Sequence, residues 1–161
     1  MPNGIDVAIA VLLVGAGLVE TKRGFGRAVL DLTALAVTVR VAWLLAEPLS
    51  GSIKLAMDPD VNRAILYVAS FVVLGSFLLY LGRTIYDVTL VSAEVFDPPL
   101  GGLCGIGVGI ILAHALVQTL AFGAGGDAVP KVVADSLLGT EFLRFHTYHR
   151  VMDVLYHFNR D

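Results

Sequence analysis

The chain has 161 residues, of which 57% are hydrophobic and only 16% charged, and its mean hydropathy is +0.80. A soluble domain carries about 25% charged residues, so this composition argues against a water-soluble core and for one small membrane domain. A net charge of −3 gives no electrostatic case for a nucleic-acid partner, and a single cysteine, Cys104, excludes an internal disulfide or a cysteine-based metal site.

Four apolar stretches cover residues 5–19, 28–46, 64–82 and 100–122. A helix needs about 20 residues to cross roughly 30 Å of hydrocarbon, so the last three qualify directly. The first is short and must extend into its flanks, thin the bilayer or enter it only partly. No lysine or arginine precedes it, Asp6 lies within it, and a basic cluster follows. That order is the reverse of a signal peptide, so the stretch reads as a retained membrane helix.

The segment "LVETKRGFGRAVLD" joins the first two stretches. Lys22, Arg23 and Arg27 suit the headgroup layer, where anionic lipid attracts basic residues. Gly24 and Gly26 allow a tight reversal, and Phe25 between them can dip into the interface. "RGFGR" is not a phosphate loop, since it lacks a preceding strand and a following lysine–hydroxyl pair.

The second stretch carries two charges that a bilayer resists, Asp31 and Arg40. Asp31 lies one turn after Arg27 and can pair with it. Arg40 lies six residues before the end of the stretch, roughly 9 Å, so it can snorkel outward. The alternative is a polar path, with Arg27, Asp31 and Thr38 on one stripe and Thr33 and Arg40 on the opposite one. Polar stripes on both sides suggest a helix with several neighbours.

"EPLSGSIKLAMDPDVNR" follows as a surface loop, with Asp58 and Pro59 suited to the cap and first position of the next helix. The mixed composition from 83 to 94 predicts a third helix that projects beyond the membrane, and "FDPPLGG" breaks the chain before the fourth. In that fourth stretch Gly101, Gly105, Gly109 and Ala113 recur every four residues, a smooth groove that admits another helix, internal or from another subunit. Beside it, His114 and Gln118 share a face. An interhelical hydrogen bond to the second or third span is the expected use, a proton or ion relay the minority one.

After Phe122, "GAGGDAVP" is a linker. In the tail, Phe145, Tyr148, Val151, Met152, Leu155 and Phe158 share one helical face, and His146, His149, Arg150, Asp153 and His157 the other. This predicts an amphipathic helix on the bilayer or a partner. The i,i+4 run His149, Asp153, His157 can hold zinc, but it also is simply the wet face of such a helix, and no metal is expected there. The fold class is therefore an all-α integral membrane protein, with about four transmembrane helices in 1–122 and a linker and amphipathic C-terminal tail in 123–161.

If all four helices cross, residues 20–27 and 83–99 share a side and both termini the other. Lys22, Arg23, Arg27 and Arg83 stand against Lys54, Arg63 and Lys131. The first turn is the densest and first helices usually dominate, which places it in the cytoplasm and both termini outside.

Taken together, "IDVAIAVLL", "KRGFGRAVLDL" and "FDPPLGGLCGIGVGII" resemble the colicin V production (CvpA) family of bacterial inner-membrane proteins. Arg23, Gly24, Phe25 and Arg27 match the family's Arg-Gly-Phe-x-Arg-Glu element, with Ala28 in place of the acid. Asp97, Gly101, Gly105 and Gly109 match its Asp-x-x-x-Gly-x-x-x-Gly element, with Val108 where an arginine is common. The likeness covers roughly residues 5–117, with an echo at "DSLLG" in the tail. It implies a four-helix inner-membrane protein needed for toxin production and linked to envelope stress tolerance. Some relatives carry a periplasmic serine protease after this module, which implies an external C-terminus.

No nucleophile elbow or dinucleotide fingerprint occurs, and neither enzymatic activity nor a cofactor is expected. The leading expectation is a membrane scaffold or accessory protein whose partners are the lipid bilayer, other copies of the chain, or other envelope proteins. The alternative is a small channel or transporter using Asp31, Arg40, His114 and Gln118.

Overall fold

Asn3 sets where the first helix begins. Its side chain accepts the N–H groups of Ile5 (3.0 Å) and Asp6 (3.3 Å), and the Asp6 carboxylate accepts the Asn3 N–H (2.9 Å), a reciprocal capping box. In this computed structural model, which describes residues 3–89, 96–125 and 130–144, the helix is α1 (Gly4–Arg23). Its 20 residues rise about 30 Å, so the short apolar stretch is completed by its two flanks. Next come α2 (Phe25–Ser52), α3 (Pro59–Thr89), α4 (Asp97–Gly123) and the short α5 (Lys131–Ala134) and α6 (Gly139–Arg144). The described residues are all helix and connection, and α1 to α4 are each long and apolar enough to cross a membrane.

The expected loop over 47–63 is shorter than its prolines suggest, because α2 runs through Pro48 to Ser52. A proline inside a helix removes one backbone bond and tilts the carbonyls nearby. Past it, near the end of the helix, the Ser50 and Ser52 hydroxyls donate to the Glu47 (2.8 Å) and Pro48 (3.3 Å) carbonyls. Buried Asn62 then closes the connection: it accepts from Leu55 and Ala56 N–H and donates to the Ile53 and Ser50 carbonyls. Asp58 caps α3 at the expected place, with Oδ1 accepting the N–H groups of Asp60 (2.9 Å) and Val61 (3.1 Å). Pro98 and Pro99 fall in the first turn of α4, where their missing N–H groups cost nothing.

The four long helices alternate in direction. α1 packs chiefly on α4 and α2 on α3, while α4 touches all three others. α2 also has several neighbours, as its two polar stripes suggest. The α1–α4 seam is the tightest. A Cβ on Gly101 would lie 2.6 Å from the Glu20 carbonyl, on Gly105 2.6 Å from that of Ala16, and on Gly109 2.7 Å from the Leu13 Cα. The predicted groove is thus filled from within the chain, by α1. Ala113 extends it into a cluster with Ile5, Ile9, Val117 and Val133.

Val133 belongs to the tail, which folds back on this end of the bundle. Asp6, 6% exposed, accepts from Ser136 Oγ (2.7 Å) and from the N–H groups of Leu138 (2.8 Å) and Leu137 (3.2 Å). Asn3 Nδ2 donates to the Val132 carbonyl (2.7 Å). Residues 130–144 therefore pack on the helices beyond the linker, through the "DSLLG" segment. The predicted amphipathic face from Phe145 to Phe158, with His149, Asp153 and His157, lies outside the described residues.

A second cluster joins α2, α3 and α4 at the same end: Ala42, Ala46, Ala64, Tyr67 and Phe122. The outward faces carry large aliphatic side chains such as Val7, Val11 and Leu18 on α1 and Val72 and Val73 on α3. In a bilayer these meet lipid tails, which are as apolar as they are.

Backbone contact at Gly105 makes a sharp prediction. Gly105→Ala overpacks the seam and lowers stability by about 1–3 kcal/mol, whereas Gly15→Ala, whose added Cβ meets nothing within 4 Å, is neutral or slightly stabilising. Thermal unfolding in detergent micelles, followed by Trp43 fluorescence, separates the two; equal stabilities would contradict the seam.

Candidate functional site at the first turn

A single residue connects α1 to α2. Gly24 adopts φ 87° and ψ 164°, a region that favours glycine. Its N–H donates to the Glu20 carbonyl (3.0 Å) and its carbonyl accepts the Ala28 N–H (3.1 Å), so it ends one helix and opens the next. Gly26 was expected to share the reversal. It lies buried in the first turn of α2 without a positive φ, because a one-residue connection reverses only once. Phe25 is half-buried and begins α2, and Lys22 is exposed at the basic end of α1, favourable to the helix dipole.

The tight reversal lays the start of α2 beside the end of α1, and there the charges meet. Arg23 Nη1 donates to Glu20 Oε1 (2.9 Å) and to Asp31 Oδ2 (3.1 Å). Both carboxylates are buried, with side chains 4% and 5% exposed, while that of Arg23 is 36% exposed. Asp31 was expected to pair with Arg27 along its own helix. Its close partner is instead Arg23 across the turn, and Arg27 and Arg83 act on it electrostatically from further off. Glu20 Oε2 and Arg27 Nε are buried without a hydrogen bond among the described residues.

α4 completes the site. Gly101 lets it approach the Glu20 carbonyl and the Gly24 backbone, and a Cβ on Gly24 would face the Asp97 side chain at 3.7 Å. The two glycine-bearing sequence elements, around Arg23 and around Gly101, are thus neighbours in space. Glu20 is the member that sequence reasoning missed, although its i,i+3 spacing from Arg23 was a usable signal. Beside the network a cavity of about 500 Å³ opens between α1 and α3, apolar along most of its length and bounded by Glu20, Arg23 and Asp31.

The other polar residues within the spans lie elsewhere. Arg40 is exposed on α2, its guanidinium 5.1 Å from the centre of the Trp43 ring one turn further on. That direction leads away from the first turn, toward the opposite interface. His114 Nδ1 lies 2.7 Å from the Phe142 carbonyl, so its hydrogen bond runs to α6 and not to α2 or α3. Gln118, one turn later, is half-buried. Asp31, Arg40 and His114 thus occupy three separate surroundings. Asp6 and Asn62, which sequence reasoning did not single out, hold the far end together.

Removing the shared cation strands two buried carboxylates. Arg23→Leu lowers stability by about 3 kcal/mol, the lower end for a broken buried pair because the guanidinium is partly open. Adding Glu20→Gln and Asp31→Asn recovers most of the loss. Denaturant titration of the single and triple variants in micelles checks this, and an unaffected Arg23→Leu would show that the network is not structural.

Comparison with known proteins adds one match. A family model described as Colicin V production protein matches residues 5–146, which takes in the first turn, the glycine seam and the folded-back tail. No curated protein and no solved structure shows significant similarity to the chain. The chain belongs to the colicin V production protein family.

Proposed function

We propose that the chain is a non-enzymatic accessory or scaffold protein of the bacterial inner membrane, serving toxin production or export and envelope stress tolerance. The observation that carries this reading is the separation of its intramembrane polar groups. Asp31 is held by Arg23, Arg40 stacks on Trp43, and His114 is tied to the tail. Each has a local packing partner, and they do not face one another. The glycine seam is taken up by α1, so assembly with other copies or with envelope proteins would use the outward aliphatic faces.

Charge, and which ends meet, support one orientation. Asn3 contacts Val132, so the N-terminus and the tail segment share one end of the bundle, and Lys22, Arg23 and Arg27 mark the other. Placing the basic turn in the cytoplasm puts both described ends outside. A phosphatase fused after Asp161 is then active and a fluorescent protein fused there is dark. The reverse pattern would invert the arrangement.

Liposome flux on the purified chain tests the functional reading. Flux of ions or protons no greater than in empty liposomes is expected. Flux that disappears in Arg40→Leu or His114→Leu would establish the channel reading in its place.

A further inference from the structure

The cavity between α1 and α3 is a groove open to the bilayer. α1 packs on α4 and has little contact with α3, so the two outer helices leave a cleft floored by α2 and α4. Its length along α1, from Val11 to Arg23, is about 18 Å. A single leaflet contributes about 15 Å of hydrocarbon, half of the bilayer core. Its walls are apolar, and an apolar void facing lipid forfeits dispersion contacts that a hydrocarbon chain supplies.

One end of the groove is basic. On α3 the lining residues Val72, Gly75, Ser76 and Leu79 form one stripe, and Arg83 continues it one turn further. On α2 the lining pair Asp31 and Leu35 is preceded one turn earlier by Arg27. α3 reaches this end as α2 leaves it, since Gly82 lies beside Leu30. Arg23 from α1 completes the set. Three helices therefore each bring an arginine to the same end, against two carboxylates, Glu20 and Asp31, and all three act on Asp31 electrostatically. The three guanidinium groups sit at the level of the basic turn, and the Arg27 Nε donor is buried without a hydrogen bond among the described residues.

We infer that the groove is a binding site for one anionic phospholipid, with an acyl chain between α1 and α3 and the phosphate at Arg23, Arg27 and Arg83. Arginine suits phosphate through its planar, multiply donating guanidinium, and basic pockets between membrane helices hold anionic headgroups in this way. The occupant is a lipid molecule resident in the fold, distinct from the general attraction of the turn to the membrane surface.

The full chain is reconstituted in nanodiscs of phosphatidylglycerol and phosphatidylcholine and released for native mass spectrometry. One retained phosphatidylglycerol per chain is expected, in preference to phosphatidylcholine. Arg83 is exposed and outside the hydrogen-bonded network, so Arg83→Gln folds normally and reduces that preference about fivefold. Val72→Trp, also at an exposed position, fills the groove and lowers retention of both lipids without altering the preference. Circular dichroism verifies that both variants remain helical. Equal retention of the two lipids, or no effect of either variant, overturns the site. So does a lipid-free chain that forms a disulfide-linked dimer through Val72→Cys, which assigns the groove to a second copy.

Discussion

Backbone contact between α1 and α4 is the constraint on which the rest of the molecule depends. With no water to expel between them, membrane helices gain by approaching closely, and Gly101, Gly105 and Gly109 bring α4 against the α1 main chain. That contact fixes the height of Glu20 relative to α4 and so the place where Arg23 must find its acceptors. It also sets the far end, where Ile5 and Ile9 meet Ala113 and Val117 and create the surface on which Val133 seats.

The two ends of the bundle solve the same problem with different chemistry. At the first turn, two buried carboxylates share one guanidinium, an arrangement that is stable only while all three partners are present. At the other end a single buried carboxylate, Asp6, is satisfied by a hydroxyl and backbone N–H groups from the returning tail. The first depends on a local reversal, the second on contact between distant parts of the chain. Between them the walls are aliphatic and face lipid.

Much of this was legible from residue order. The four spans, the Asp58 cap, the glycine seam and the basic turn all rest on local rules of spacing and hydropathy, and the structure has them in place. What sequence reading misplaced depends on geometry between elements. Asp31 pairs across the turn because a one-residue connection brings α2 alongside α1, which no i,i+4 rule anticipates. His114 meets the Phe142 carbonyl because the tail folds back, and nothing in the composition of 123–144 announces that. α2 runs past Pro48 to Ser52, and its end is closed from α3, where Asn62 donates to the Ser50 and Ile53 carbonyls, a contact visible only once α3 is in position. Glycine spacing said that a close partner exists; only the fold says that the partner is α1.

The antiparallel marriage of α1 and α4 also dictates a sequence of events in assembly. Of these four spans α1 leaves the ribosome first, yet its principal partner is the last of them. At about 5–20 residues per second, the chain between Arg23 and Asp97 takes several seconds to synthesise. During that interval α1 has lipid where α4 will be, with Glu20 and Arg23 able to pair within the same helix and Asp31 able to join them as soon as α2 turns back. The Asp6 carboxylate waits longer still, with only its own cap to hold until Ser136 arrives. The ion network thus comes early, as a local clasp for the first hairpin, and the tail contact comes last, closing the bundle after every span is in place.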